Sequence, residues 1–126
     1  MDYFFEAFRK YATFSGRSGL AAFWYFFLWH CSLVVALGTL FGVFFMGGLS
    51  LSALYVPSMM FLMLLLVYCL ASLIPTIAVS VRRLHDTGRS GAWFLLNFIP
   101  LIGPLALLVL LAQAGNPGDN AYGKGA

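Results

Sequence analysis

The chain has 126 residues, of which 62% are hydrophobic and 9% charged, with a formal net charge of +3. A soluble domain carries about 45–50% apolar and about 25% charged residues. A chain this short has too much surface for its volume to hide the excess, so the apolar residues face lipid and an ordinary soluble domain is excluded. The seven Lys and Arg residues sit mostly at the ends of apolar runs rather than in a basic patch on a soluble face, which argues for membrane orientation and against a nucleic-acid partner.

Residues 2–14 alternate at helical spacing. Asp2, Glu6, Arg9, Lys10 and Thr13 fall on one side, and Phe4, Phe5, Phe8, Tyr11 and Ala12 on the other. The segment is too short to span and is predicted to be an amphipathic helix lying in the interface. Glu6 precedes Lys10 by four residues, the favourable order for a helical ion pair. Residues 15–19 (SGRSG) break this helix, with Ser18 as the expected N-cap of the next one.

Residues 20–46 contain no Asp, Glu, Lys or Arg, enough to cross the hydrocarbon core. Phe23, Trp24 and Tyr25 form its aromatic belt, and Gly38 and Gly42 make a GxxxG pair. The run is too long for a signal-peptide core and is expected to be retained. An uncharged turn over residues 47–52 leads to a second predicted span, 53–81, bounded or tilted by Pro57 and kinked at Pro75. Ser72, Thr76 and Ser80 share a stripe around that kink, where hydroxyls can satisfy backbone groups that the proline frees. Residues 82–91 (RRLHDTGRSG) form the densest polar cluster, with Asp86-Thr87-Gly88 as a turn and Ser90 as the next cap. Residues 92–112 are the third apolar segment. Pro100 and Pro104 near its middle predict a kinked span, with a re-entrant hairpin of two half-helices as the alternative. Residues 113–126 form a polar, turn-rich tail.

Arg9, Lys10 and Arg17 precede the first span, and Arg82, Arg83 and Arg89 separate the second from the third. The positive-inside rule puts the N-terminus and the 82–91 loop in the cytoplasm. With three spans the C-terminus lies outside; with a re-entrant third segment it returns to the cytoplasm. The expected fold is therefore an all-α integral membrane protein: an interfacial amphipathic helix followed by three transmembrane helices, the third broken by proline.

Four stretches in order resemble the bacterial DUF805 family of inner-membrane proteins. They are residues 14–17 (FSGR) with 23–26 (FWYF), residues 81–91 (VRRLHDTGRSG) with Trp93, residues 99–103 (IPLIG), and residues 115–120 (GNPGDN) with Tyr122 and Gly123. Members usually carry a second basic residue and an acidic residue between the first Arg and the Trp; Gly19, Leu20 and Ala22 stand there instead. The resemblance implies a bacterial inner-membrane location and supplies no established activity.

Arg17, Arg82, Arg83, His85, Asp86 and Arg89 are the candidate site. Arginine's planar fork suits phosphate, so the functional expectation is an anion site for a lipid headgroup or phosphorylated ligand; the structural one is that these arginines anchor span ends. Helical spacing lets Arg82 pair with Asp86, while Arg83 and His85 point elsewhere. His30 lies inside the first span and is expected to hydrogen-bond, neutral, at a helix interface. Cys31 and Cys69 lack disulfide or metal spacing, and Met46, Met59, Met60 and Met63 are packing or lipid-facing residues. No catalytic, metal or cofactor motif is present. The expected function is a non-enzymatic scaffold, assembly or anionic-lipid-binding module, with an oligomeric small transporter or channel as the alternative. Its expected partners are membrane lipids, a second copy of the chain, or another membrane protein.

Overall fold

A computed structural model describes residues 2–124. Its helices are α1 (Asp2–Arg9), α2 (Leu20–Gly48), α3 (Tyr55–Asp86) and α4 (Ile102–Ala112), with short 3₁₀ helices at Ser52–Leu54 and Gly91–Phe98. The chain falls into two compact units, Phe27–Leu73 and the pair Met1–Phe26 with Ile74–Ala126.

Phe27–Leu73 is a helical hairpin. Helices α2 and α3 have 29 and 32 residues, longer than the about 20 needed to cross a bilayer. They run antiparallel here, with the Phe44 and Phe61 rings 5.3 Å apart and Phe45 and Tyr55 5.7 Å apart. The predicted turn starts later than expected, because Gly47 and Gly48 stay helical. A Cβ on Gly47 would stand 2.8 Å from the Leu54 side chain, and one on Gly48 would stand 2.7 Å from the Tyr55 ring. The glycines let the turn close against the helix instead of ending it. Pro57 does not break α3; it lies in the first turn, where no intrahelical N–H is required. His30 Nδ1 meets the Tyr68 hydroxyl at 2.9 Å, a contact between the two helices. Ser72, buried three residues before the in-helix Pro75, donates to the Cys69 carbonyl.

In the other unit, α1 ends at Arg9 rather than running to residue 14. The carbonyls of Lys10 and Thr13 are instead spent on the Arg82 guanidinium. Phe4 and Phe8 pack on Phe26, with centroids 5.7 and 6.3 Å away, and Ala7 is buried. Phe5 and Tyr11, from the same expected apolar face, are exposed. Lys10 and Glu6 form the anticipated pair at 2.7 Å. That hydrogen bond holds the Glu6 carboxyl below its ordinary range. The pair's contribution is therefore present above the ordinary carboxylate pKa and fades as pH falls through the lowered one.

Helix α3 continues past the predicted end at 81 to Asp86. It stops on Gly88, whose φ is +79°. The Arg89 N–H returns to the Leu84 carbonyl and the Gly88 N–H to the His85 carbonyl, a Schellman closure.

The third apolar segment departs most from the expected single kinked helix. It is two arms, Gly91–Phe98 and Ile102–Ala112, folded against each other. Gly103 allows the closest approach; a Cβ there would collide with the Leu96 carbonyl. Leu101 turns the chain with φ +63° and ψ −58°. The Ile102 N–H closes onto the Pro100 carbonyl at 2.7 Å, the strained γ-turn rarely seen outside glycine. The first arm starts where a Cβ on Gly91 would lie 2.9 Å from the Val81 side chain. The second ends where the Leu111 carbonyl takes the Arg83 Nε at 3.0 Å. The segment thus leaves and returns at the same level of α3. Gly103→Ala is expected to cost about 1–3 kcal/mol through backbone collision. Gly38→Ala, whose Cβ would meet nothing within 4 Å in a helix interior that favours Ala over Gly, should not lower stability; thermal unfolding of the detergent-solubilised protein separates the two.

Candidate functional site

The last turn of α3 brings together most of the residues that the polar cluster offered. Asp86 is the centre. Arg17 reaches it from the turn before α2, with Nε and Nη2 each 2.9 Å from Oδ1. Arg83, one turn earlier on α3, donates from Nη1 to Oδ2. All three side chains are at most 5% exposed. The expected pairing of Arg82 with Asp86 is not formed. Spacing of three and of four both bring residues together on a helix, and Asp86 takes Arg83. Arg82 turns the other way, to the Ser18 hydroxyl at 3.2 Å and the Thr13 carbonyl at 2.8 Å. Ser18 is therefore not the cap of α2; its hydroxyl is the acceptor for Arg82, and its N–H donates to the Arg82 carbonyl.

The remaining donors go to backbone carbonyls. Arg83 spends Nε on Leu111 and Nη2 on Gln113, which caps the C-terminal end of α4 with a cation, the sign its dipole favours. Arg17 spends Nη2 on Asn116 at 2.7 Å and Nη1 on Gly118 at 2.6 Å. The Asn116 N–H returns to the Asp86 carbonyl at 2.7 Å. Gly115 lies so close to Asp86 that a Cβ would collide with the carboxylate. The tail is thus threaded through the cluster. Among the described residues, no buried side-chain N or O lacks a hydrogen-bond partner.

His85 stands beside this centre but not in it. Its Nδ1 is 2.9 Å from the Gly16 carbonyl, which can only accept, so Nδ1 carries the proton. The ring stacks on Tyr122 with centroids 4.1 Å apart and planes parallel. The Asn120 amide donates to the His85 carbonyl. His85 and Asp86, though adjacent, serve different partners and form no acid–base pair. Arg89 remains at the surface, donating to the Gln113 side-chain oxygen at 2.8 Å.

A polar cleft of about 590 Å³ opens beside the cluster, lined by Glu6, Arg17, Ser18, Asp86 and Asn116 among others. Two carboxylates border it, and the Arg17 donors are engaged by Asp86 and by tail carbonyls. His30 and Ser72 belong to the Phe27–Leu73 hairpin, while Ser80 is buried and Thr76 half-buried along α3. Met59, Met60 and Met63 line an exposed apolar groove on α3. Among the described residues, no group of three His, Cys, Asp or Glu side chains gathers to hold a metal.

The parts that sequence reasoning missed are the carbonyls of Leu111, Gln113, Asn116 and Gly118. Carbonyls have no residue signature. The one available signal was the density of turn formers over residues 115–120, which marks a chain that bends repeatedly around something. Asp86→Asn keeps the shape and removes the carboxylate that pairs with two buried guanidinium groups. It is expected to cost about 3–5 kcal/mol and to speed hydrogen exchange at the Asn116 amide. Arg17→Lys, which loses the planar fork, should loosen the tail by about 1–3 kcal/mol; exchange mass spectrometry on the tail reads both.

Residues 11–124 match the family model described as "Protein of unknown function (DUF805)". The chain is 37% identical over 125 residues to Inner membrane protein YhaI of Escherichia coli (strain K12), covering 98% of this chain and 94% of the relative. It is 35% identical over 126 residues to Inner membrane protein YhaH of the same organism, with the same coverage. It is 33% identical over 139 residues to Uncharacterized protein YiiR, covering 89% and 84%. No solved structure matches. The family match runs from Tyr11 through the whole arginine–carboxylate cluster to Lys124, and the chain belongs to the DUF805 family.

Proposed function

We propose that this protein is a non-enzymatic inner-membrane scaffold whose arginine–carboxylate cluster is a structural lock on the cytoplasmic face. One observation carries this reading: Arg17, Arg82 and Arg83 direct their donors inward, onto Asp86, Ser18 and backbone carbonyls. A phosphate site needs guanidinium donors facing the ligand. The inner-membrane relatives and the two long apolar helices support the location. The bias of Lys and Arg toward the N-terminus and the 82–91 loop supports the orientation.

Anionic headgroups enter this reading only at the rim. Arg9 and Lys10 are exposed, and Arg89 is half-buried, with its hydrogen bond to Gln113 lying at the surface. Cations of this kind near an anionic leaflet are worth about 1 kcal/mol each. They would hold the scaffold at the headgroup plane without forming a pocket.

Native mass spectrometry with phosphatidylglycerol, paired with thermal unfolding, tests the division of labour. Replacing Arg9, Lys10 and Arg89 together by Ala is expected to lower lipid retention several-fold while the unfolding midpoint barely moves. Arg83→Lys is expected to lower the midpoint and leave the retention of the folded fraction intact. If Arg83→Lys abolishes lipid retention at an unchanged midpoint, the buried arginines hold phosphate and the scaffold reading is overturned.

A further inference from the structure

The segment from Gly91 to Ala112 is apolar, folded back on itself, and tipped by its most exposed side chains. Phe98 is 79% exposed and Leu101 84%. In water such a tip would be an aggregation hazard. In a bilayer the difficulty is different: an irregular turn brings backbone N–H groups into a medium that offers them no partner.

The turn removes that difficulty residue by residue. The Ile99 N–H donates to Leu96, the Ile102 N–H to Pro100, and the Gly103 N–H to Ile99. Pro100 and Pro104 have no N–H at all. Of the six residues from 99 to 104, five spend or lack their donor, and among the described residues this leaves the Leu101 N–H. The strained γ-turn at Leu101 has the same logic. A backbone cost of about 1–3 kcal/mol is accepted where it closes a hydrogen bond that water cannot supply.

Length decides how deep such a hairpin reaches. The 11 residues of α4 rise about 16 Å at 1.5 Å per residue. The 8 residues of the 3₁₀ arm also rise about 16 Å, at 2.0 Å per residue. Each arm matches one leaflet of a hydrocarbon core about 30 Å thick and falls well short of both. From Ser90 to Gly118 there is no charged residue. The polar groups stand at the two ends: Arg89 and Trp93 at the entry, where headgroups favour them, and Gln113 with the Arg83 lock at the exit. Asn97 is the one polar side chain of the arms, and it lies before the turn rather than in it.

We propose that Gly91–Ala112 is a half-bilayer wedge, which enters one leaflet, turns among the acyl chains near the midplane, and returns to the face it left. The occupant of its exposed tip is lipid. The tail and the N-terminal segment then share one side of the membrane, which lets Arg17 hold the tail carbonyls. The wedge needs only that the protein is membrane-embedded; it does not rest on the scaffold reading, whose own test reads lipid retention and stability.

Site-directed labelling of the full-length chain in sealed vesicles tests it. Cys31 and Cys69 are replaced by Ala, and single cysteines are placed by Ser90→Cys, Leu101→Cys or Lys124→Cys. A membrane-impermeant maleimide is expected to reach positions 90 and 124 from the same side, and position 101 from neither side until detergent is added. A nitroxide at position 101 should be accessible to oxygen and shielded from a nickel chelate. Labelling of 90 and 124 from opposite sides would mean a full span and overturn the wedge. Reaction at 101 before detergent would place the hairpin in water and overturn it equally. Should Leu101→Cys fail to fold, Phe98→Cys gives the same reading from an adjacent exposed position.

Discussion

The structure depends on one carboxylate. Asp86 holds Arg83 with one oxygen and Arg17 with the other, and both arginines reach on to segments far away in sequence. Burying ions is costly unless each is paired and its remaining donors are filled. Here Arg17 and Arg83 share one carboxylate, and the remaining donors, with those of Arg82, go to the carbonyl dipoles of Lys10, Thr13, Leu111, Gln113, Asn116 and Gly118. Several of these lie at helix ends or in turns, where carbonyls lack helical partners. The cluster therefore solves two problems together: it neutralises buried charge, and it satisfies backbone that would otherwise be orphaned.

That arrangement also sets the course of the C-terminal third. Arg83 caps α4 and so fixes where the apolar hairpin must end. Arg17 clasps the tail immediately afterwards, and Gly115 is required because nothing larger fits against Asp86. A segment pinned by Gly91 at Val81 and by Leu111 at Arg83 has to turn midway. The two prolines and Gly103 are what make a turn possible with one backbone donor, the Leu101 N–H, left over among the described residues. Strain at Leu101 and close packing at Gly103 are then consequences of fixed ends rather than isolated oddities.

The element-level pattern was legible because it is local. Two charge-free runs long enough to cross a bilayer, the Gly88 stop, the Glu6–Lys10 pair and the proline break between the last two helices all follow from spacing within a few residues. The errors share one cause. The first helix ends at Arg9 rather than at residue 14 because Arg82, more than seventy residues on, takes its carbonyls. Ser18 sits where an N-cap is expected, yet serves Arg82. Asp86 had two partners at helical spacing, and the choice of Arg83 over Arg82 was made by Arg17, Ser18 and the tail.

By itself the sequence determined the solvent, the two long helices and the bias of positive charge, since hydropathy and helical periodicity are properties of neighbouring residues. Tertiary structure decided that the arginines face inward, which carbonyls they take, and that the third apolar segment doubles back. Those outcomes rest on backbone groups that every residue carries alike, so no side-chain pattern announces them. They are settled only when distant segments compete for the same few donors in a space that excludes water.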